Sequence, residues 1–303
     1  MRAGIIHGMK KILGRNVIET FYRAFGFLSD EKYLRFIYRL RMGKTLNLDD
    51  PKTFNEKLQW LKLNDRREIY TTMADKYLVK GYLADRIGER YVVPLLGVWD
   101  GFDDIDFDAL PERFVLKTNH DSGTATVCRD KAGFDIRSAR KKLEKSLKTD
   151  YFILKREWPY KNISRKIIAE EYLEEEPGKE IRDYKFFCFN GVPEMMYIIE
   201  NSAEIHTKVF FDMNGRPLDL EIDDPRTEVT PPVPPCFEEM KKLAARLSEG
   251  IPFLRVDFYY VKGRVYVGEL TFYHESGLGN IRPAEWNGRL GEMIDISEIR
   301  RRR

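Results

Sequence analysis

Apolar positions recur at helical spacing through the first third of the chain and at strand spacing through most of the remainder. Residues 1–45 read as helices, and in EKYLRFIYRL the side chains Leu34, Ile37 and Tyr38 fall on one side. FNEKLQWLKL and TTMADKYLVKGYLADRIG are also helical, the second closed by Gly88, with the turn DDP at 49–51 as a boundary before them. YVVPLLGVW is a short apolar run, and GFDDIDFDALP reads as a polar loop. A helix follows over 135–147, with Asp135 as N-cap and Ile136, Ala139, Leu143 and Leu147 on one face. KIIAEEYL, YKFFCFNG, VPEMMYIIE and KVFFDMNG are strands separated by turn signals, which makes the second half rich in antiparallel sheet. DPRTEVTPPVPP is a stiff proline-rich connector, EEMKKLAARLSEG an amphipathic helix stopped by Gly250, and RVDFYYVKGRVYVGELTF a hairpin. No internal repeat is visible. Strands in runs, interspersed with helices, give an α+β class.

Composition narrows this picture without changing it. At 303 residues, 43% hydrophobic, the chain can bury a large core and is neither disordered nor of low complexity. Three widely spaced cysteines, Cys128, Cys188 and Cys236, form no CxxC pair. That argues for a reducing compartment and against a disulfide framework or zinc ribbon. The N-terminal apolar run at Ile5 and Ile6 is too short for a signal or transmembrane segment, so a cytoplasmic location is expected. The net charge of +3 hides an asymmetry: up to Leu48 ten lysines and arginines face only three carboxylates, and residues 300–303 are all arginine. The body between these basic ends is acidic, and the ends suit an anionic membrane surface. No nucleic-acid motif accompanies them, so no nucleic-acid partner is expected.

Candidate chemistry begins in FVLKTNHDSGTAT. On an extended strand Val115, Lys117 and Asn119 share one face, while Phe114, Leu116 and Thr118 share the other. A lysine on so apolar a strand calls for an anion in front of it. The hydroxyl-rich turn after it, with Gly123 at its middle, lets backbone amides approach phosphates. RDYKFFCFNG repeats the device: Asp183, Lys185, Phe187 and Phe189 alternate onto one face, so two cations on apolar strands suggest a polyphosphate site. In the hairpin, Gly263 is expected to close a three-residue loop over 261–263, setting Tyr260 opposite Arg264 and Asp257 opposite Val267. Glu269 would then be the diagonal neighbour of Asp257, about 7–8 Å away on the same face. An even-numbered loop would split the two carboxylates between faces. Paired carboxylates beside a polyphosphate suit magnesium, a hard ion that prefers oxygen ligands. KIIAEEYLEE presents an apolar strand end at Glu170, Glu171, Tyr172 and Leu173, whose backbone can meet a flat heterocycle.

Taken in order, FVLKTNHDSG, IIAEEYL, DYKFFCFNG and RVDFYYVKGRVYVGELTFY resemble the ATP-grasp superfamily, and most of all its TupA-like branch, associated with capsular polysaccharide and teichuronopeptide biosynthesis. FNEKLQWLKL, DKYLVKGYL, PLLGVWD and REWPYKNI are similar to that branch too, so the resemblance covers about residues 50–295. It implies two α+β subdomains sandwiching a nucleotide. The expected divisions are a basic helical region over 1–48, a helical/α-β N-terminal subdomain over 49–110, a lid over 111–176, a metal-bearing subdomain over 177–296 and a basic tail over 297–303. It implies an ATP-dependent carboxylate–amine ligase working through an acyl phosphate, with ATP and magnesium as cofactors and a sugar acid or amino acid as the carboxylate. By motif position Lys117 and Lys185 would bind phosphates, with Asp183 alongside Lys185. The loop of Asp121, Ser122, Gly123 and Thr124 would close over the phosphates, and Glu170 to Leu173 would be the adenine hinge. Asp257 and Glu269 would hold magnesium, and Arg255 would stabilise the transferring phosphoryl group. Many superfamily members carry asparagine two residues after the metal-binding glutamate, where this chain has Thr271. Its hydroxyl can still ligate magnesium or hold a water. Arg156, Trp158 and Arg182 are candidates for acceptor contacts.

Two other readings compete. DDIDFD contains the DxD spacings Asp104/Asp106 and Asp106/Asp108, which can hold a metal with a nucleotide sugar and so suggest a glycosyltransferase. A non-catalytic nucleotide-binding scaffold in polysaccharide assembly is the other.

Overall fold

The computed structural model describes residues 22–175, 181–201, 206–227 and 229–302. The expected basic arm therefore lies, over residues 1–21, outside the described residues. Helix α1 (Asp30–Met42) begins where the Ser29 side chain accepts from the Lys32 amide and ends at Gly43, whose φ of 70° is the left-handed turn that glycine adopts without a steric penalty. It buries Tyr33, Leu34, Ile37 and Tyr38. It is fastened by the Tyr33 hydroxyl, which donates to Leu154 O at 2.7 Å, and by Asp30, paired with Arg66 at 2.7 Å and Arg156 at 3.3 Å. Helix α2 (Phe54–Asn64) opens with a reciprocal capping box between Thr53 and Glu56, a contribution of about 1 kcal/mol. The next predicted helix is two, α3 (Ile69–Ala74) and α4 (Val79–Ile87). The Asp75 carboxylate accepts from the amides of Tyr77 and Leu78, competing with helical bonding and restarting the chain in a new direction.

Strands β1 (Leu95–Trp99), β2 (Phe114–Thr118), β3 (Thr126–Cys128) and β4 (Ile167–Glu171) form an antiparallel sheet in the order β1-β4-β2-β3. Phe114, Leu116, Ile167 and Ala169 pack against Ala139 and Leu143 of α5 (Ile136–Leu147), which Asp135 caps as expected. Ile136 stays exposed, so the apolar face of α5 is narrower than its periodicity suggests. Phe102, Ile105 and Leu110 complete this core with Phe107 packed against it, so the predicted polar loop is pinned by its large apolar side chains, and residues 95–110 belong to the small sheet's layer. A short helix α6 (Tyr151–Lys155) follows.

The second sheet is larger: β5 (Asp183–Phe189), β6 (Val192–Asn201), β7 (His206–Asp212), β9 (Phe253–Val261) and β10 (Arg264–Thr271) run antiparallel in the order β10-β9-β5-β6-β7. Strands β8 (Glu221–Ile222) and β11 (Ile281–Arg282) pair separately. Period-two alternation sorts β5 cleanly. Phe186 meets Phe237 of α7 (Phe237–Ser248) at 5.7 Å, whereas Phe187, on the face of Lys185, meets Phe253 at 5.3 Å and stacks on Phe54 of α2. Helices α8 (Glu285–Met293) and α9 (Ser297–Arg301) end the described chain. Arg300 donates to Asp49 O, tying part of the basic tail to the body.

The β9–β10 hairpin corrects the sequence reading. Its loop is the two residues Lys262 and Gly263, both with positive φ (49° and 76°), as a primed turn requires. Tyr260 therefore faces Val265. An even loop alone would have split Asp257 from Glu269. A bulge between Val267 and Glu269 slips the register by one residue, so Glu269 lies directly opposite Asp257 on the same face. The bulge falls at Gly268, where a Cβ would come within 2.6 Å of the Tyr259 ring. Absence of a side chain is what allows that ring to lie across the bulge.

The two sheets meet at a seam. Val92 and Val267 form a parallel bridge, and Val93, Val261 and Tyr266 cluster with Leu173, Ile181 and Tyr259. The hinge after β4 thus lies against the hairpin, with separate hydrophobic cores on either side.

Candidate active site

The lid side of the seam is built on β2, an interior strand between β4 and β3. Alternation buries Phe114, Leu116 and Thr118 and puts Lys117 on the other, less buried face, as the spacing predicted. Val115 is the register partner of Glu170 on β4. There the Glu170 carboxylate receives the Lys117 ammonium at 2.5 Å through one oxygen and the Lys80 ammonium at 2.7 Å through the other. Burial raises the pKa of Glu170, but the two ammonium groups outweigh it and hold the carboxyl below its usual range. Glu170 therefore acts here through its side chain, as a clamp that positions two cations. Lys80 also donates to Val93 O at 2.6 Å, and burial lowers its pKa against the opposing pull of Glu170. Sequence reasoning missed Lys80 because a lysine on an amphipathic helix carries no period-two signal. Glu171 ends β4 exposed and its amide is already bonded to Pro94 O. Tyr172 and Leu173 continue beyond the strand along the seam.

The loop after β2 divides into a fixed base and an exposed tip. Asp121, 4% exposed, accepts from the hydroxyls of Thr118 and Thr124 at 2.6 Å each and from Ser146. Asn119 spans Asp75 and Ser164 O at 2.9 Å each, and the Lys76 ammonium donates to Asp121 O. Asp121 and Thr124, expected to touch the nucleotide, are thus committed to holding the loop. Ser122 and Gly123, the latter with φ 81°, form its exposed tip.

Across the seam, β5 and β9 place Lys185 opposite Asp257 in register. The Lys185 ammonium lies 2.6 Å from Asp257 and 3.3 Å from Asp183. Arg255 grips both Asp257 oxygens, at 2.6 and 2.7 Å, donates to the Thr271 hydroxyl at 3.0 Å and lies 3.7 Å from Glu269. Burial raises the pKa of Asp257, yet Arg255 and Lys185 prevail and keep the carboxyl below its usual range. Burial likewise opposes charge on Lys185, and the Asp257 carboxylate overcomes it, raising that pKa. Asp183 is raised, chiefly by burial, and one of its oxygens accepts no hydrogen bond among the described residues. His274, 3.0 Å from Arg255, is pushed far down by burial and stays neutral. Tyr259 ties the halves together. Burial and the carboxylates Asp183, Asp257, Glu269 and Glu170 together push its phenol well above the usual range. Sequence reasoning also missed Tyr259 and His274, which read as ordinary members of aromatic segments.

Among the described residues no group of three or more His, Cys, Asp or Glu side chains forms a ready cage for a metal. Magnesium takes one or two carboxylates and completes its shell with waters and phosphate oxygens. The donors on this face are all oxygens: Asp257 and Glu269 opposite each other, the Thr271 hydroxyl beside them and the unsatisfied Asp183 oxygen nearby. Glu269, 30% exposed and only loosely approached by Arg255, is the more open of the pair. The residues fit the ion.

The family model described as TupA-like ATPgrasp matches residues 56–295. The chain belongs to the TupA-like ATP-grasp family. ATP-grasp enzymes take ATP and magnesium as cofactors, and the α+β architecture with antiparallel sheets is that of the fold. Among solved structures, the chain is similar to a D-alanine–D-alanine ligase from Bacillus anthracis complexed with ATP (18% identity, 66% of this chain, 55% of that one, TM-score 0.41). It is also similar to a D-alanine–D-alanine ligase from Helicobacter pylori (15%, 80% and 69%, TM-score 0.39) and to the ATP-grasp ligase PsnB complexed with a minimal precursor (13%, 82% and 67%, TM-score 0.39). The chain spans little more than half the length of the Bacillus ligase. No curated protein matches the sequence.

Proposed function

We propose that this ATP-grasp chain is a magnesium-dependent carboxylate–amine ligase acting through an acyl phosphate, and that it attaches an amino acid or amine to a cell-surface polysaccharide or its precursor. The observation that carries the reading is the pairing of a lysine on each sheet with a carboxylate, half-buried Lys117 with Glu170 and buried Lys185 with Asp257, beside a carboxylate pair that a bulge sets face to face. The polysaccharide setting rests on the TupA-like resemblance.

In this reading Lys117, positioned with Lys80 by Glu170, and Lys185 bind the nucleotide's phosphates, while Ser122 and Gly123 cover them. The hinge from Glu171 to Leu173 receives the adenine along its backbone. Asp257, Glu269 and Thr271 would hold magnesium, whose charge would offset that of the phosphoryl group. Arg255 keeps Asp257 oriented and would stabilise the charge developing on the transferring phosphoryl group. A carboxylate oxygen bonds to the terminal phosphorus as its bond to ADP breaks. The amine then attacks the acyl carbon, phosphate leaves, and the amine's proton passes to solvent. The seam's burial excludes water from the acyl phosphate.

The glycosyltransferase reading loses its footing. Asp104 accepts from the Gly101 amide, and Asp106 from those of Asp108 and Ala109, so both cap local turns. Arg156 is 4% exposed and donates to Gly26 O and Leu28 O, a fastening for the chain before α1 that leaves it no acceptor role. Of the ten basic residues in the arm expected to meet a membrane, four lie in residues 1–21, outside the described residues, and among the described residues no helix is long and apolar enough to cross one. The test is ADP release from Mg-ATP with panels of acids and amines. Release should require an acid, and Lys117→Ala should lower kcat/KM by about 100-fold or more. Sugar transfer from a nucleotide sugar without ATP would refute the ligase.

A further inference from the structure

A cavity of about 550 Å³ opens beside the exposed loop tip, within the size range of small-molecule sites. Ser122 and Gly123 form one edge, Arg41 of α1 and Lys155 of α6 lie on its walls, and Glu275 and Ser276, from the turn after β10, close it. Its Ser122–Gly123 edge is the tip of the loop that follows the Lys117 strand.

The closing turn is built at a cost. Glu275, Ser276 and Gly277 take φ values of 46°, 57° and 63°, three left-handed residues in succession, two of which are not glycine. A stripe of buried polar side chains on α2 holds them there. Asn55 donates to Gly279 O at 3.0 Å, Gln59 to Ser276 O and Gly277 O at 2.8 and 2.9 Å, and the Lys62 ammonium to Ser276 O and its hydroxyl at 2.9 and 2.8 Å. All three are 1% exposed. Their spacing of four and then three residues places them on one helical face. A helix that buries a lysine, an amide pair and no compensating apolar face at these positions is shaped around that turn, and the turn faces the cavity.

Charge decides what the cavity takes. Arg41, Lys62 and Lys155 line it against a single carboxylate, Glu275, which is already 3.3 Å from Lys208. Lys62 is spent on the turn, but Arg41, half-buried in the last turn of α1, makes no hydrogen bond or ion pair among the described residues. A zwitterionic amino acid would bring an ammonium group among three lining cations, where the one lining carboxylate is already paired with Lys208. We propose that this cavity seats the acid substrate of the ligation and selects a carboxylic acid without a free ammonium group, such as a sugar acid, with Arg41 as a specificity-determining cation. The proposal rests on the ligase reading.

Two measurements separate the two. ATP binding is followed by calorimetry without acid, and the KM for glucuronate, galacturonate, glutamate and alanine is followed by ADP release, in the full chain and in Arg41→Gln. The expected result is turnover with the uronates and not the amino acids. Arg41→Gln should raise the uronate KM about tenfold and leave ATP affinity and the melting temperature unchanged. A preference for the amino acids, or an acid KM untouched by Arg41→Gln, would overturn the cavity assignment alone. Failure to bind ATP would overturn the ligase reading and this proposal with it.

Discussion

Glu170 is the residue on which the lid half of the site turns. Two ammonium groups share one buried carboxylate, so removing either cation leaves the other pair intact, whereas removing the carboxylate leaves two lysines facing each other. Lys80 is argued to act by positioning Lys117 and by adding positive charge, so Lys80→Met should raise the KM for ATP about tenfold, the loss of one charge-assisted hydrogen bond, with a smaller change in kcat. A fall in kcat at constant KM would contradict that role. The same clamp has a pH signature. Because the folded pKa of Glu170 is depressed, its contribution to stability is fully present above the unfolded value near 4.5 and is lost as pH falls through the lower folded value. Chemical denaturation from pH 7 down to 3 should show stability declining below about 4.5 in the wild type, and a shallower decline in Glu170→Gln.

At the scale of elements, the site depends on one irregularity. The turn at Lys262 and Gly263 has even parity, and without the bulge at Gly268 the carboxylates Asp257 and Glu269 would face opposite sides of the sheet. Gly268→Ala places a Cβ 2.6 Å from the Tyr259 ring. The ring must then move or the bulge must reform elsewhere, a cost of about 1–3 kcal/mol that should lower the melting temperature by several degrees. Magnesium dependence should weaken at the same time, read as a higher magnesium concentration for half-maximal ADP release. An unchanged magnesium requirement would mean that the bulge does not set the pair. This is also where the sequence was legible only in part. Lys117 and Lys185 could be read because strand alternation exposes a lone cation among apolar neighbours. That Asp257 and Glu269 share a face was also readable, because an apolar opposite face demands it, but a three-residue loop and a two-residue loop with a bulge satisfy that demand equally. Asp121 looked like a ligand because its hydroxyl partners include Ser146, which arrives from a helix 25 residues away.

For the whole molecule, a large core and a much smaller one lie on either side of a polar seam, an arrangement that in the proposed ligase would let the smaller half cover a ligand held by the larger. The seam concentrates the groups that are costly to bury: Lys185, Asp257 and Glu170 are each less than a tenth exposed. A fold optimised for stability alone would replace such pairs with apolar side chains, often without loss. In the proposed ligase their expense is accounted for by a polyanion and a metal ion that would enter between them. What the sequence could not show was the third wall, because the cavity beside the loop tip is assembled from α1, α2, α6 and the turn after β10, segments that no local pattern links. The central claim is that a carboxylate is phosphorylated at this seam, and trapping with hydroxylamine tests it most directly. With Mg-ATP and the preferred acid, hydroxylamine should yield the acid's hydroxamate in step with ADP, and Lys185→Met should abolish both. ADP release without hydroxamate from any acid, or hydroxamate formation undiminished in Lys185→Met, would contradict it.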